Sequence, residues 1–264
     1  MEKLITTDHL KRKLEFSFPP GRIISLVPAI TSTLFYLQLE NEVVGRTRFC
    51  IHPKNFVKKA QQVGGTKDIN IEKIRQLKPD IIFAEKEENS KEIVEILENE
   101  FPVYVAEVQS IKDVYKMIID IGTVTNRTPL AEQLVIKIKQ AFQSLPHGKN
   151  KKVAYCIWKN PYMVVGSNTY INSLLESLGF INVFTEFDGR YPVVTEEDFR
   201  NFQLDYLFLA TEPYPFKEQH VKDFSEILPN TTIKILDGEM FWYGPKMLEA
   251  VEYFNYEFKE LIND

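Results

Sequence analysis

Soft metal-ligand side chains stand close together at one place in this 264-residue sequence, Cys50-Ile51-His52, just after the strand pattern Val43–Thr47. A thiolate and an imidazole at that spacing could hold a transition metal, or meet one carried in by a ligand. The remaining histidines, His9, His147 and His220, keep no ligand spacing to each other or to this pair. A lone histidine is more often structural than ligating, so no resident metal is expected. Catalytic signatures are missing as well: there is no glycine-rich phosphate loop, no Gly-x-Ser-x-Gly elbow and no His-Glu-x-x-His. These patterns single out no catalytic residue and no cofactor.

Aromatic residues near strand ends are the more telling set. Phe49 follows a strand in the first half. In the second half Trp158 and Tyr162 follow the strand pattern Val153–Ile157, Tyr191 precedes a helix, and Phe241-Trp242-Tyr243 follow the last strand. Open α/β sheets take their ligands at the carboxyl ends of the strands. Aromatics there could line a cleft for a large, flat or apolar ligand. The same side chains could equally fill the core, and the sequence leaves each one open between the two roles.

A formal net charge of -5, offset by no basic block, argues against nucleic acid as a partner. No apolar run approaches the roughly 20 residues of a membrane helix. Met1–Phe18 lacks the apolar core of a secretory signal, and no cysteine near the start offers a site for lipid. Either a mature form or a protein that stays in the cytoplasm is expected. Cys50 and Cys156 fall in different halves, and no disulfide is expected between them.

Hydrophobic periodicity places these residues on alternating strands and helices. First-half strands are expected at Leu14–Phe18, Arg22–Pro28 (stopped by its proline), Val43–Thr47, Asp80–Ala84 and Val103–Val105. Helices are expected at Thr31–Leu39, Asn70–Leu77, Lys91–Asn99 and Ile111–Ile121. In the second half, strands at Val153–Ile157, Val183-Phe184, Tyr206–Ala210 and Ile233–Leu236 alternate with helices at Tyr170–Leu178, Thr195–Phe202, Phe216–Leu228 and Pro245–Ile262. Such alternation argues for parallel βαβ units.

Between the halves, Leu130, Leu134, Ile138, Ala141, Phe142 and Leu145 draw one apolar stripe along a helix. Thr128 suits its cap, Pro129 its first position and Pro146 its stop. The segment 128–146 reads as a helical spine joining two α/β lobes, 1–127 and 147–264, although an ordinary helix inside one domain would show the same stripe. A weak repeat supports two related lobes. Glu72 and Glu197 each open a helix eight residues before an aspartate, Asp80 or Asp205, that heads an apolar strand.

An ordered set of stretches resembles the substrate-binding proteins of ABC importers for cobalamin, haem and iron-siderophores. In the first half they are Arg22–Pro28, Val44-Gly45-Arg-Thr-Arg-Phe-Cys-Ile-His-Pro53, Val63-Gly-Gly-Thr66 and Ile71-Glu72 through Asp80. In the second half they are Gly179–Phe184, Tyr191-Pro192 and Asp237–Pro245. The nearer resemblance is to the vitamin B12-binding branch. It implies two Rossmann-like lobes joined by one long α-helix, the class III periplasmic-binding-protein arrangement, and a monomer that moves little on binding. It also implies a corrinoid or related metal chelate held between the lobes and delivered to a membrane permease, with haem or a ferric siderophore as alternatives.

By motif, the pocket would use Phe49 (often tyrosine in the family), Tyr191, Phe241 and Trp242, with Trp158 and Tyr162 as weaker carry-overs; Cys50 and His52 are ligand-binding candidates on their own chemistry. Glu72 and Glu197 would dock the transporter. The family works in the periplasm or attached outside the cytoplasmic membrane; the polar N-terminus keeps a cytoplasmic relative, a chaperone or enzyme on the same frame, as the other expectation. At Asp8-His-Leu-Lys-Arg12 the family usually has Asp-x-x-Gly-Arg, so the turn at Lys11 is expected to differ or to carry strain.

Overall fold

The computed structural model, which describes residues 2–259, opens with an antiparallel ribbon of β1 (Glu2–Thr7) and β2 (Lys13–Phe18). β1 is an unexpected strand: none of its residues is buried, so no strong apolar alternation announces it. The turn between the two strands docks the ribbon. The buried Asp8 carboxylate accepts from the N–H groups of Leu10 and Arg12, both at 2.9 Å, and from the Arg12 guanidinium at 2.7 and 2.8 Å. It also accepts from the Val105 N–H at 3.2 Å, while Arg12 donates to the Val103 carbonyl at 2.9 Å. Lys11 stands in this turn at φ 63°, the left-handed region that glycine enters without penalty.

Five parallel strands form the first sheet, in the order β5-β4-β3-β6-β7. They are β3 (Ile23–Ser25), β4 (Val43–Arg46), β5 (Gln61–Gln62), β6 (Ile81–Glu85) and β7 (Val103–Ala106). β3, β6 and β7 are buried at every residue, as strands covered on both faces are, and so they read as unbroken runs. β7 is an edge strand, and Asp8 and Arg12 occupy the backbone groups it would otherwise offer to another chain.

Helices α1 (Pro28–Tyr36), α2 (Ile71–Leu77), α3 (Lys91–Glu98) and α4 (Ile111–Val124) connect or follow these strands. Pro28 corrects the expected strand stop: it is the first residue of α1, where its missing N–H has no partner to lose. α5 (Thr128–Phe142) differs at both ends from the expected spine. Arg127 holds the capping position, its carbonyl accepting from Ala131 N–H at 3.1 Å. Ahead of Pro146 the N–H groups of Gln143, Ser144 and Leu145 donate only three residues back, a tightened turn in which the helix runs out.

Two compact units result. One takes the chain through Val108 and again from Lys112 to Lys139; the other takes Gln109–Ile111 and the chain from Gln140 onward, so the final crossing falls inside α5. The second sheet runs β11-β9-β8-β12-β13, with β10 also on β8. Its strands are β8 (Lys152–Trp158), β9 (Tyr162–Val164), β10 (Ile181–Asn182), β11 (Val193–Val194), β12 (Tyr206–Ala210) and β13 (Thr232–Leu236). β8, β12 and β13 are mutually parallel neighbours, whereas β9 runs antiparallel to β8 and β11 antiparallel to β9; neither of the two was expected.

The strand expected at Val183-Phe184 forms two residues earlier. Asn182 takes the Phe184 N–H on its own side chain at 3.2 Å, which removes it from the ladder. Helices α6 (Tyr170–Ser177), α7 (Glu196–Asn201), α8 (Glu218–Ile227) and α9 (Lys246–Glu257) complete this unit. Met247, Val251 and Phe254 are buried on α9 as its periodicity requires; the expected end at Ile262, with Leu261, lies outside the described residues. Among the described residues no helix is long and apolar enough to cross a membrane.

The weak sequence repeat is a structural one. Asn70 caps α2 and Thr195 caps α7, each through its side chain, so Glu72 and Glu197 are both the second helical residue. Lys78 and Gln203, each two residues before the aspartate, adopt left-handed φ of 44° and 48°. Asp80 N–H then donates to Arg22 carbonyl at 2.8 Å, and Asp205 N–H to Lys152 carbonyl at 2.9 Å. In return the Asp80 carboxylate accepts from Gly21 and Arg22 N–H at 2.8 and 2.9 Å, and the Asp205 carboxylate from Lys152 N–H at 2.8 Å.

Two tests follow from these local conflicts. Lys11→Gly should stabilise the protein by roughly 1 kcal/mol, since an L side chain in left-handed backbone costs about that much; urea unfolding reads it, and an unchanged midpoint would show the turn to be relaxed. Glu85, ending β6, is 2% exposed and its carboxylate accepts from the N–H groups of Glu87 (2.7 Å), Glu88 (3.0 Å) and Val108 (3.2 Å). Burial outweighs these donors and pushes its pKa up to about 7 from an ordinary 4.5. With the folded value raised, its contribution is complete below pH 4.5 and is lost as pH climbs through 7, on the order of 3 kcal/mol. Glu85→Gln should therefore gain on the wild type as pH rises across that window, and a constant difference between the two would exclude Glu85 as the source.

Candidate functional site

The loop leaving β4 at the carboxyl edge of the first sheet holds Arg48, Phe49, Cys50 and His52, and the structure separates them. Cys50 is fully buried, its sulfur 3.1 Å from the hydroxyls of both Thr31 and Thr47, and Thr31 in turn donates to Ser25 at the end of β3. Desolvation pushes the thiol pKa up, so it stays neutral, and its two threonine contacts anchor the loop. His52 is half-buried. Among the described residues no group of three or more His, Cys, Asp or Glu could hold a metal.

Phe49, by contrast, is 48% exposed. The Arg48 guanidinium lies 4.9 Å from its ring centroid and donates to Asp68 at 2.7 Å. Arg46, buried, clamps the two ends of the loop by donating to the carbonyls of Thr47 (3.0 Å) and Val57 (2.8 Å). Asn89 ties the neighbouring loops together: it accepts from Glu85 N–H at 3.0 Å and donates to Thr66 carbonyl at 2.9 Å.

The carboxyl edge of the second sheet is aromatic. Trp158 ends β8 and is 39% exposed; Tyr214, just past β12, meets it edge to face at 5.6 Å. Glu212, also just past β12, accepts from the indole N–H of Trp242, which follows β13. Gly238 makes this possible, because a Cβ there would run into the Glu212 side chain, and its own N–H donates to Thr211 at 2.9 Å. Three adjacent parallel strands thus carry Trp158, Tyr214, Glu212 and Trp242 as a linked row.

Two expected pocket residues lie elsewhere. Tyr162 packs into the core against Phe224 and Phe199, at 5.1 and 5.8 Å, and burial raises its pKa. Phe241 is 3% exposed and sits 4.5 Å from Tyr155 and 5.1 Å from Phe254, a core residue as well. Tyr191 is half-buried beside Pro192, whose carbonyl accepts from Val164 N–H at 3.1 Å. Tyr214 and Glu212 were missed by sequence reasoning, although Thr211–Tyr214 follow the expected strand Tyr206–Ala210 directly and the same strand-end rule covers them.

Glu72 and Glu197 are both exposed on their helices. Glu72 accepts from Arg75, which also pairs with Glu100. On α7 it is Glu196, not Glu197, that pairs with an arginine, Arg200 at 3.0 Å.

Comparison with known proteins gives these edges a context. The vitamin B12-binding protein of Pectobacterium carotovorum subsp. carotovorum is 24% identical over 243 residues, 88% of this chain and 86% of the relative. An uncharacterised ABC transporter substrate-binding lipoprotein of Bacillus subtilis, YvrC, is 27% identical over 249 residues, 88% and 78% of the two chains. The crystal structure of the periplasmic haem-binding protein HutB of Vibrio cholerae superposes with a TM-score of 0.77 at 19% identity, covering 90% of this chain and 98% of that one. The family description "Periplasmic binding protein" matches residues 23–228. Two α/β units, strand-end loops carrying the exposed side chains and a match over most of the sequence lead to one statement: this chain belongs to the periplasmic binding protein family, and it is a binding protein rather than an enzyme.

Proposed function

We propose that this protein binds a corrinoid or a related metal chelate as a monomer outside the cytoplasmic membrane and delivers it to the permease of an ABC importer. The observation that carries the reading is the row Trp158–Tyr214–Glu212–Trp242, an aromatic edge with one carboxylate on a chain similar to vitamin B12-binding proteins. Broad rings need wide apolar walls with few polar groups to orient them, which such a row supplies. Phe49 and His52 in the first unit and Tyr191 in the second are also assigned to the ligand; Cys50, Tyr162 and Phe241 each brace the loops of their own unit. Isothermal calorimetry with hydroxocobalamin, haem and a ferric siderophore tests the ligand. Micromolar or tighter binding of hydroxocobalamin is expected, and Trp158→Ala should weaken it by about 1 kcal/mol or somewhat more. Tight binding of another chelate with none of cobalamin would overturn the corrinoid choice.

Glu72 and Glu197 are assigned to the permease. Acidic residues favour helix starts for their own sake, worth roughly 0.3–1 kcal/mol each. That bland reason does not account for the matched helical position of both, each eight residues before its strand-heading aspartate. Glu72 must exchange Arg75 for a partner's base, whereas Glu197 gives up no ion pair among the described residues. Glu197→Ala is therefore expected to reduce transport more than Glu72→Ala, by up to roughly 2–5 kcal/mol of docking if the pair is desolvated, with ligand affinity unchanged. Full transport by the double variant would remove the assignment.

A further inference from the structure

We propose that Arg48 recognises an oxyanion, a carboxylate or a phosphate, carried at the rim of the bound chelate; this rests on the chelate-binding reading above. The guanidinium is held ready. It lies over the Phe49 ring at 4.9 Å, and Asp68 tethers it through a single 2.7 Å hydrogen bond. Gly65 also lies close to it: a Cβ there would stand 2.9 Å from the guanidinium carbon and collide with Asp68. A planar fork with its rotamer fixed by a ring and a tether loses little freedom on binding, and its geometry suits the paired oxygens of a carboxylate or phosphate.

Half of the Arg48 side chain remains exposed, next to the exposed Phe49 assigned to the ligand. The surrounding charge has the right sign. From Arg46 to Lys67 the chain holds six lysines and arginines and no acidic residue, within a protein of net charge -5. The acidic groups of this edge are Asp68, which tethers the guanidinium, and Glu85, Glu87 and Glu88 at and just past the end of β6, on the loop that Asn89 ties to Thr66. Phe49 and Arg48 then divide the work: the ring meets the macrocycle and the guanidinium meets its charged substituent.

The test pairs each ligand with a version that lacks the oxyanion: cobalamin with cobinamide, which has no phosphate, and haem with its dimethyl ester. Calorimetry is run on the wild type, Arg48→Gln and Gly65→Ala, with circular dichroism confirming the fold. Arg48→Gln should weaken the oxyanion-bearing member of the bound pair roughly tenfold to a hundredfold, and leave its partner within about twofold. Gly65→Ala, which displaces the guanidinium without removing it, should show the same selectivity and stands in if Arg48→Gln does not fold. Selective loss for cobalamin assigns the phosphate; selective loss for haem assigns the carboxylates. Equal weakening of both members, or of neither, overturns the proposal while chelate binding stands. If the wild type binds none of the four, the Arg48 proposal falls together with the corrinoid and haem choices, and the wider chelate reading falls only if the ferric siderophore fails as well.

Discussion

Each sheet is registered at its amino end by one aspartate. Parallel neighbours are not joined by a tight turn, so nothing local sets how far one strand slides along the next. Asp80 and Asp205 solve this in the same way, donating their backbone N–H to the neighbouring strand while their carboxylates accept N–H groups from it. A one-residue slip would break these bonds and turn every buried side chain of β6 or β12 to the opposite face. The loops that carry exposed chemistry leave the other end of the same strands, and their positions depend on that registration.

Given level strand ends, small residues decide what can stand there. Gly65 leaves room for the Arg48–Asp68 pair and Gly238 for the Glu212 side chain, each by the absence of one carbon. Neutral buried groups do the anchoring: Cys50 keeps its proton and hydrogen-bonds through two threonines, and Asn89 bridges two loops without a charge. The two edges end up chemically unlike, one presenting a guanidinium on a ring and the other a row of aromatics around a carboxylate. Related scaffolds have been given different surfaces.

Much of the scaffold was legible because its signals are local. Asn70, Ser90, Thr169 and Thr195 each accept from a backbone N–H three residues on, and a cap of that kind is visible in the sequence. Doubly covered strands announce themselves as apolar runs. β1, β9 and β11 did not, since they are short or exposed and exist through their partners. The site was harder. A residue after a strand has no period to say which way it faces, so Phe241 and Trp242, adjacent in sequence, could not be told apart, yet one fills the core and the other reaches Glu212. The burial of Cys50 was not legible for the same reason: its threonine partners lie on α1 and just past β4, and only the fold brings all three together.

The docking of the N-terminal turn also has a consequence in time. Asp8 leaves the ribosome well ahead of Val105, 97 residues later, which completes its acceptor role. At typical synthesis rates that gap lasts roughly five to twenty seconds. Throughout it the ribbon of β1 and β2 has no sheet to lean on, and a two-stranded hairpin alone is marginal in water. The first unit can close only after β7 emerges, and the ribbon, made before the sheet it leans on, is among the last parts of that unit to find its place.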